Sequence, residues 1–374
     1  MPAEHQEARE TAQVASSFIN ATNSAVDAAA TLMLQYAPIL PHEKIDKALK
    51  IQRTVELDNA AAAAIKGVFD GLPIGTNVDA CEGKKEAGKD GEEVDVLSGH
   101  HGSLTGKQYS VILDPIEGTT AACSRKEGAT SMLAFSSKNG LLPTPMLSEY
   151  ITLPEGAEDG EVTYMNKLIA SAEANGVLDI ARGADYNIGA MAQLYNGSDK
   201  VAVVVMNRPT NQHIIEAAMR ANVEVVLIEA GDLLPSLAAA TGTLVNGKHI
   251  VVYGRGGDQE GRIAAAAAKA VDGFMQGQVW IASEDDKNYT RDNLPVYERD
   301  DIAPGRAEDT GVVFTALTND STYFGLQGRD GGYEVLQQAT SVAIVHPDVA
   351  AQLRSQISAD VDKTVIVTRS TSSQ

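Results

Sequence analysis

The segment YSVILDPIEGTT (109–120) carries two carboxylates after an apolar run that predicts a buried strand over 109–113. Pro115 cannot donate to a strand ladder and Gly118 permits a sharp turn, so Asp114 and Glu117 are expected where the strand leaves its sheet. Two converging carboxylates repel each other unless a cation neutralises them, and their oxygens suit Mg²⁺ or Mn²⁺. The segment therefore indicates a metal site, with an acidic turn that caps a helix as the alternative.

A second candidate lies in VVYGRGGDQEGRIAAAAA (251–268), where a strand, a glycine-rich turn and a helix are predicted to follow one another. Glu260 falls in the first turn of that helix, where the helix dipole favours an acid whether or not it binds a ligand. The glycines could also bring backbone N–H groups to a phosphate. The segment does not fit the dinucleotide pattern G-x-G-x-x-G, which makes a nucleotide-binding protein the weakest interpretation.

Both segments need elements that hold them in place, and the hydrophobic pattern predicts these elements along the chain. The first part combines long Ala-rich helices with two strands and a glycine- and charge-rich loop at 82–106. In the second part strands and helices alternate, which is typical of a parallel sheet covered on both faces. The expected helices are 6–37, 43–69, 211–221, one from near Asp232, and 258–275, and the expected strands are 109–113, 131–137, 200–206, 223–230 and 249–254.

Composition excludes several functional classes. The net charge of −20 repels nucleic acid, and no basic patch offsets it. No run of about 18 apolar residues predicts a transmembrane helix, and the polar N-terminal segment lacks a signal-peptide pattern. Cys81 and Cys123 give neither a disulfide framework nor zinc-ligand spacing. We therefore expect a cytoplasmic protein with no nucleic-acid or membrane partner.

Taken together, DPIEGTT and the downstream GRGGDQEGRIAAAAAKAVDGFMQG resemble the class II fructose-1,6-bisphosphatases, members of the lithium-sensitive, metal-dependent sugar-phosphatase superfamily. TYMNKLIAS (163–171) and LIEAGD (227–232) also fall in family order, and a weaker resemblance runs from near residue 50 to about residue 357. The second-domain WD motif of the inositol monophosphatases is absent.

The resemblance implies a fold of α/β and α+β type, with the layered αβαβα architecture of the sugar phosphatases. A mixed-sheet α+β metal-binding domain is expected over 1–185, and a parallel-sheet α/β substrate-binding domain over 186–374. A homo-oligomer is a further expectation from the family.

The resemblance also implies catalytic and metal-binding residues. Thr119 would position the phosphate or the attacking water. Glu86 matches the family's water-positioning acid, although the family has aspartate there, and Lys84 replaces the next acid of the loop. The metal ligands implied for Mg²⁺ or Mn²⁺ are Asp58, Glu82, Asp114, Glu117 and Glu260.

The implied substrate-binding residues are less well preserved. The basic element that holds the distal phosphate in the family falls on RPTN (208–211), where Thr210 replaces a second cation. Ala230 replaces one of the two sugar-binding carboxylates. These changes favour a phosphatase for a sugar phosphate, a monophosphate among them, with a catalytically weak metal- and ligand-binding regulator as the alternative. The implied contacts are Gly118, Thr119, Tyr164, Arg208, Thr210, Gly231, Asp232 and Gly257.

Overall fold

A computed structural model describes residues 3–36, 46–81, 97–150, 152, 159–281, 294–330, 339–356 and 364–368. Within these ranges, no helix is both long and apolar enough to span a membrane.

The described segments form helices and two sheets. The helices are α1 Ala3–Met33, α2 Lys47–Asp70, α3 Thr119–Cys123, α4 Gly183–Leu194, α5 Gln212–Arg220, α6 Leu233–Thr241, α7 Asp258–Val271, α8 Arg299–Ile302 and α9 Pro347–Gln356. The strands are β1 Gly75–Cys81, β2 Gly99–Gly102, β3 Gln108–Glu117, β4 Thr130–Ser137, β5 Tyr164–Ala170, β6 Val201–Met206, β7 Glu224–Ile228, β8 His249–Gly257, β9 Phe274–Trp280, β10 Val296–Glu298, β11 Gly311–Ala316, β12 Ser341–Val345 and β13 Thr364–Val367.

The described residues form two compact units, one within Met1–Gly140 and Arg306–Thr368 and one within Leu141–Gly305. This division differs from the expected boundary at 185 in two places. Strand β5 joins the second sheet, and strands β11, β12 and β13 return to the first. The strand pairs form between segments far apart in sequence, which local patterns do not reveal.

In the described part of the chain, the first unit has a seven-stranded mixed sheet in the order β13-β12-β11-β4-β3-β1-β2, as expected for the first domain. Alternate residues of β3 face α1 and α2, and Tyr109, Val111 and Leu113 are buried in that layer. Many of the helix residues that meet them are alanines, including Ala61 on α2. Small side chains allow the helices to approach the sheet closely, so β3 lies in a rigid and well-packed setting.

The described residues of the second unit form a six-stranded sheet in the order β10-β9-β5-β8-β6-β7. Among the described strands of this sheet, the adjacent pairs β7–β6 and β6–β8 are parallel, whereas β5 runs antiparallel to its neighbours β8 and β9. The expectation of a parallel sheet therefore holds for its β7-β6-β8 part alone. The core formed with α4 and α5 includes the fully buried Val203 and Ile214.

Candidate active site

Strand β3 does not end at residue 113, as the sequence predicted, but continues to Glu117. Its pairing with β4 shifts register between Asp114 and Glu117, so Pro115 lies in an irregular stretch where the ladder needs no donor from it. Asp114 is 4% exposed and Glu117 is 7% exposed. Two nearly buried carboxylates three residues apart are costly to hold as anions, and they suit a hard cation.

Gly118 makes the turn between β3 and α3. Its φ of 77° lies in the left-handed region, and a Cβ would approach the Gly128 carbonyl oxygen at 3.2 Å. Glycine avoids both the backbone strain and this contact. The amides of Ala121 and Ala122 donate to the Gly118 carbonyl, so Thr119 opens a short helix directly after the carboxylates.

Asp58 lies on α2, one turn after Thr54 and next to the buried Leu57. The Thr54 hydroxyl is 3.8 Å from the Cys123 sulfur at the end of α3. Burial raises the pKa of the Cys123 thiol, and the nearby Asp58 carboxylate adds to this shift. Asp58 therefore lies close to the short helix that follows the β3 carboxylates.

Glu82 and Glu86 lie outside the described residues, as do Lys84 and most of the loop expected over 82–106. The described part of this region contains the short strand β2, which pairs with β1. Among the described residues, no group of three or more histidine, cysteine, aspartate and glutamate side chains has an arrangement that could hold a metal ion.

In the second unit, Glu260 lies in the first turn of α7. Strand β8 runs on to Gly257, so the glycines that were expected to form a turn are its last strand residues. A side chain at Gly257 would collide with the Glu260 carboxylate, which folds back over this glycine. Tyr164 is directly opposite Gly257 in the β5–β8 ladder, and it is 38% exposed. Three implied site residues therefore meet at one end of this sheet.

Asp232 is bound by a residue that the sequence did not single out. The Lys167 Nζ lies 2.8 Å from Asp232 Oδ2 and also donates to the Gly257 carbonyl oxygen at 3.3 Å. Lys167 is fully buried and Asp232 is 4% exposed. Gly256 leaves room for the pair, since a Cβ there would press on both side chains. A lysine inside the apolar strand MNKLIA was the available sequence signal, because a charge there needs a partner.

Gly231, which precedes Asp232, has a φ of 74°, a conformation that favours glycine. It positions the chain between β7 and α6, so that Asp232 lies directly before the first residue of the helix.

The RPTN turn connects β6 to α5. Arg208 and Thr210 are exposed, whereas Asn211 is buried. The Asn211 side chain accepts from the Arg255 amide at 2.9 Å and donates to the Met206 carbonyl oxygen at 3.1 Å. The turn is thereby fixed to the adjacent strand β8, at the carboxyl ends of parallel strands where α/β sheets place ligands.

A family model described as bacterial fructose-1,6-bisphosphatase, glpX-encoded, matches residues 50–335. The match covers well over half of the chain, which therefore belongs to this family.

The chain is also similar to curated proteins, over about half of its length. The chain is 30% identical over 200 residues to a D-fructose 1,6-bisphosphatase class 2/sedoheptulose 1,7-bisphosphatase of Microcystis aeruginosa, covering 50% of this chain and 51% of the relative. A protein of the same name from Thermosynechococcus vestitus is 30% identical over 229 residues, covering 56% and 59%. The chain spans about half the length of the curated relatives it matches.

Proposed function

We propose that this protein hydrolyses the phosphate monoester of a sugar phosphate with the help of a divalent metal ion, Mg²⁺ or Mn²⁺. The observation that carries the proposal is the pair Asp114 and Glu117, two nearly buried carboxylates at the end of a rigid central strand. The resemblance and the family membership support a metal-binding role for this pair. The relatives' name supports a sugar bisphosphate as the substrate class.

The proposed metal ligands of the first unit are Asp58, Glu82, Asp114 and Glu117, and Glu260 of the second unit is a further proposed ligand. When bound, divalent ions would neutralise charge on the phosphate oxygens and make a water molecule a better nucleophile. The burial of the β3 carboxylates keeps competing water away from them and raises their affinity for a cation.

Thr119 is proposed to orient the phosphate or the water, since it follows the carboxylates at the opening of α3. Glu86 is proposed to hold the attacking water. These residues contribute placement and electrostatic stabilisation, which is most of what phosphoryl transfer requires of a protein.

The second unit is proposed to bind the sugar. Tyr164 and Gly257 face each other across the β5–β8 ladder, and Asp232 is fixed by Lys167. A carboxylate held in one orientation is suited to accept hydrogen bonds from sugar hydroxyls. Loss of the second acid at Ala230 makes this pocket different from the pocket that the resemblance implies.

The test measures phosphate release from a panel of sugar mono- and bisphosphates with Mg²⁺ or Mn²⁺ added. The Asp114→Asn and Glu260→Gln variants should lose activity and, in a separate calorimetric titration, Mn²⁺ affinity. Asp309→Asn is the matched control, because Asp309 is another buried acid of the first unit and is paired with Arg306.

Absence of turnover on every panel member, with metal bound, would overturn the phosphatase and leave the metal- and ligand-binding regulator. Unchanged Mn²⁺ affinity in Asp114→Asn would overturn the ligand assignment.

A further inference from the structure

We propose that two copies of this chain associate through the first unit, each inserting Leu104 into a cavity beside α1 of the other copy. The cavity lies at the beginning of β3, whereas the Asp114 and Glu117 carboxylates lie near the end of that strand. The inference therefore concerns a surface outside the candidate active site and does not depend on the proposed reaction.

Leu104 is an apolar side chain on a loop at the surface of the first unit. It is 81% exposed and lies in the loop 103–107, which connects β2 to β3. Single exposed apolar residues are common on protein surfaces and need no partner. The conformation of this loop and the cavity beside it are what indicate a contact.

Hydrogen bonds hold this loop in one conformation. The Ser103 hydroxyl accepts from the backbone amides of Thr105 and Gly106 at 3.3 and 3.2 Å. The Gln108 side-chain amide donates to the carbonyl oxygens of Ser103 and Gly106 at 3.0 and 2.8 Å. An apolar side chain presented by an ordered loop loses less conformational entropy on binding than one on a flexible loop. Leu104 is therefore suited to anchor an interface.

A cavity of about 160 Å³, here called the α1 cavity, lies beside this loop. The Ser103 amide donates to the carbonyl oxygen of Ile74 at 2.9 Å, and Ile74 lines the cavity together with Pro73, Val14 and Tyr109. An apolar cavity of about 150 Å³ holds a benzene molecule, which has more carbon atoms than a leucine side chain. The α1 cavity is therefore large enough for a leucine.

Electrostatics favours contact between two copies at this surface. The chain has a net charge of −20, so two copies repel each other in general. Among the described residues that line the α1 cavity or form the loop 103–107, only Glu10 and Lys107 are charged, and their charges cancel. The Lys107 Nζ lies 3.6 Å from Glu10 Oε2. This neutral surface on an acidic chain is suited to meet an identical surface.

The pairing of an exposed leucine with a neighbouring cavity favours a second copy over a different partner. In a two-fold symmetric dimer the same surface contributes to both sides and must be complementary to itself. Leu104 and the α1 cavity are neighbours in the first unit, so a two-fold axis between the copies produces two identical insertions. A different partner protein would need only one of the two features.

The experiment measures association of the full chain by sedimentation equilibrium over a range of protein concentrations. Wild type should form a dimer, or an assembly built from such dimers. Leu104→Ala should raise the dissociation constant of the dimer by about a hundredfold or more, because both copies lose a buried leucine. Leu244→Ala is the matched control and should leave the dissociation constant unchanged, because Leu244 is an exposed leucine of the second unit.

A second variant, Ser17→Phe, fills the α1 cavity and leaves Leu104 in place. Ser17 lines the cavity and is partly exposed, so an aromatic ring at this position would occupy the space that the leucine needs. Ser17→Phe should therefore weaken self-association as Leu104→Ala does.

Mixing the two variants tests the insertion itself. A dimer of one Leu104→Ala chain and one Ser17→Phe chain regains a single insertion, because the leucine of the second chain enters the open cavity of the first. Sedimentation of one fluorescently labelled variant in the presence of the other should therefore show tighter association than either variant shows alone. This recovery would also exclude misfolding as the cause of the losses.

A wild-type chain that stays monomeric at every concentration would overturn the inference. A dimer whose dissociation constant is unchanged in Leu104→Ala would overturn it too, because another surface would then hold the copies together. Failure of the mixed variants to associate more tightly than the separate ones would refute the reciprocal insertion. None of these measurements uses turnover, so failure of the proposed function would be a separate result.

Discussion

Replacing Lys167 with methionine tests whether the buried ion pair of the second unit is a fixed part of the candidate site. Methionine keeps most of the length and apolar character of the lysine stem but removes the ammonium group. Asp232 would then remain 4% exposed without the cation that lies 2.8 Å away in the wild type. The Gly257 carbonyl oxygen would lose its hydrogen bond from the same group.

The expected loss of stability in Lys167→Met follows from the burial of both members of the ion pair. Lys167 is fully buried and Asp232 nearly so, which means that solvent cannot screen the charge left behind. Removing one member of such a pair typically lowers the free energy of unfolding by about 3–5 kcal/mol, whereas replacing both members with apolar groups costs much less. We therefore expect Lys167→Met to destabilise the second unit by about 3–5 kcal/mol and Lys167→Met/Asp232→Leu to destabilise it less.

Urea unfolding followed by tryptophan fluorescence measures this loss. Trp280 is the single tryptophan of the chain and lies on β9 of the second unit, so its signal reports the unfolding of that unit. The control is Lys200→Met, since Lys200 also forms an ion pair, with Asp199, but at an exposed position. That change should be nearly neutral, as expected for a surface pair.

A loss below about 1 kcal/mol in Lys167→Met would refute the reasoning, because it would show that Asp232 is not effectively buried. The single variant Asp232→Leu completes the comparison. If the double variant lost as much free energy of unfolding as the two single variants together, the reasoning would be refuted too, because the effects of substituting coupled partners are not additive.

Three further predictions concern other parts of the structure. Gly118→Ala should lower the free energy of unfolding of the first unit by about 1–2 kcal/mol in urea titrations, because φ is 77° there; a neutral result would contradict that backbone conformation. Lys66 lowers the pKa of the Asp70 carboxyl, so Asp70 contributes stability above its unfolded pKa that is lost as pH falls through its folded pKa. Melting temperature should therefore fall less steeply with acidification in Asp70→Asn, and parallel curves would count against the interaction. Arg262→Met should cost the second unit about 3–5 kcal/mol by tryptophan fluorescence, because Asp258, 2.8 Å away, is 2% exposed; a surface-like loss would disprove the buried pair.

Local chemistry in the sequence predicted the elements around the β3 motif well. An apolar run predicted the strand, and Pro115 with Gly118 predicted a break close to where the register shifts and the chain turns. The exact end was wrong, because a proline can remain in a strand where the ladder is irregular. The burial of Asp114 and Glu117 could not be read from the sequence, since it depends on what packs around β3.

In the second unit, the sequence pattern predicted individual strands but not how distant strands pair. Alternation of strands and helices predicted the parallel strands β6, β7 and β8, but β5 enters between β8 and β9 from a distant part of the chain. Lys167 and Asp232 are 65 positions apart in the sequence and meet only because β5 lies beside β8. A pattern within one strand can show that a lysine is out of place, but not which acid accompanies it.

Arg255 is a residue whose surroundings depend both on the local sequence pattern and on the pairing of distant strands. In the sequence it is a cation among glycines, YGRGG, and its neighbours suggest only a turn. In the structure those glycines are the last residues of strand β8, so Arg255 lies on the same face of the sheet as Tyr164 and stacks on Trp280. Strand register, and not distance along the sequence, therefore decides which side chains share this face of the sheet.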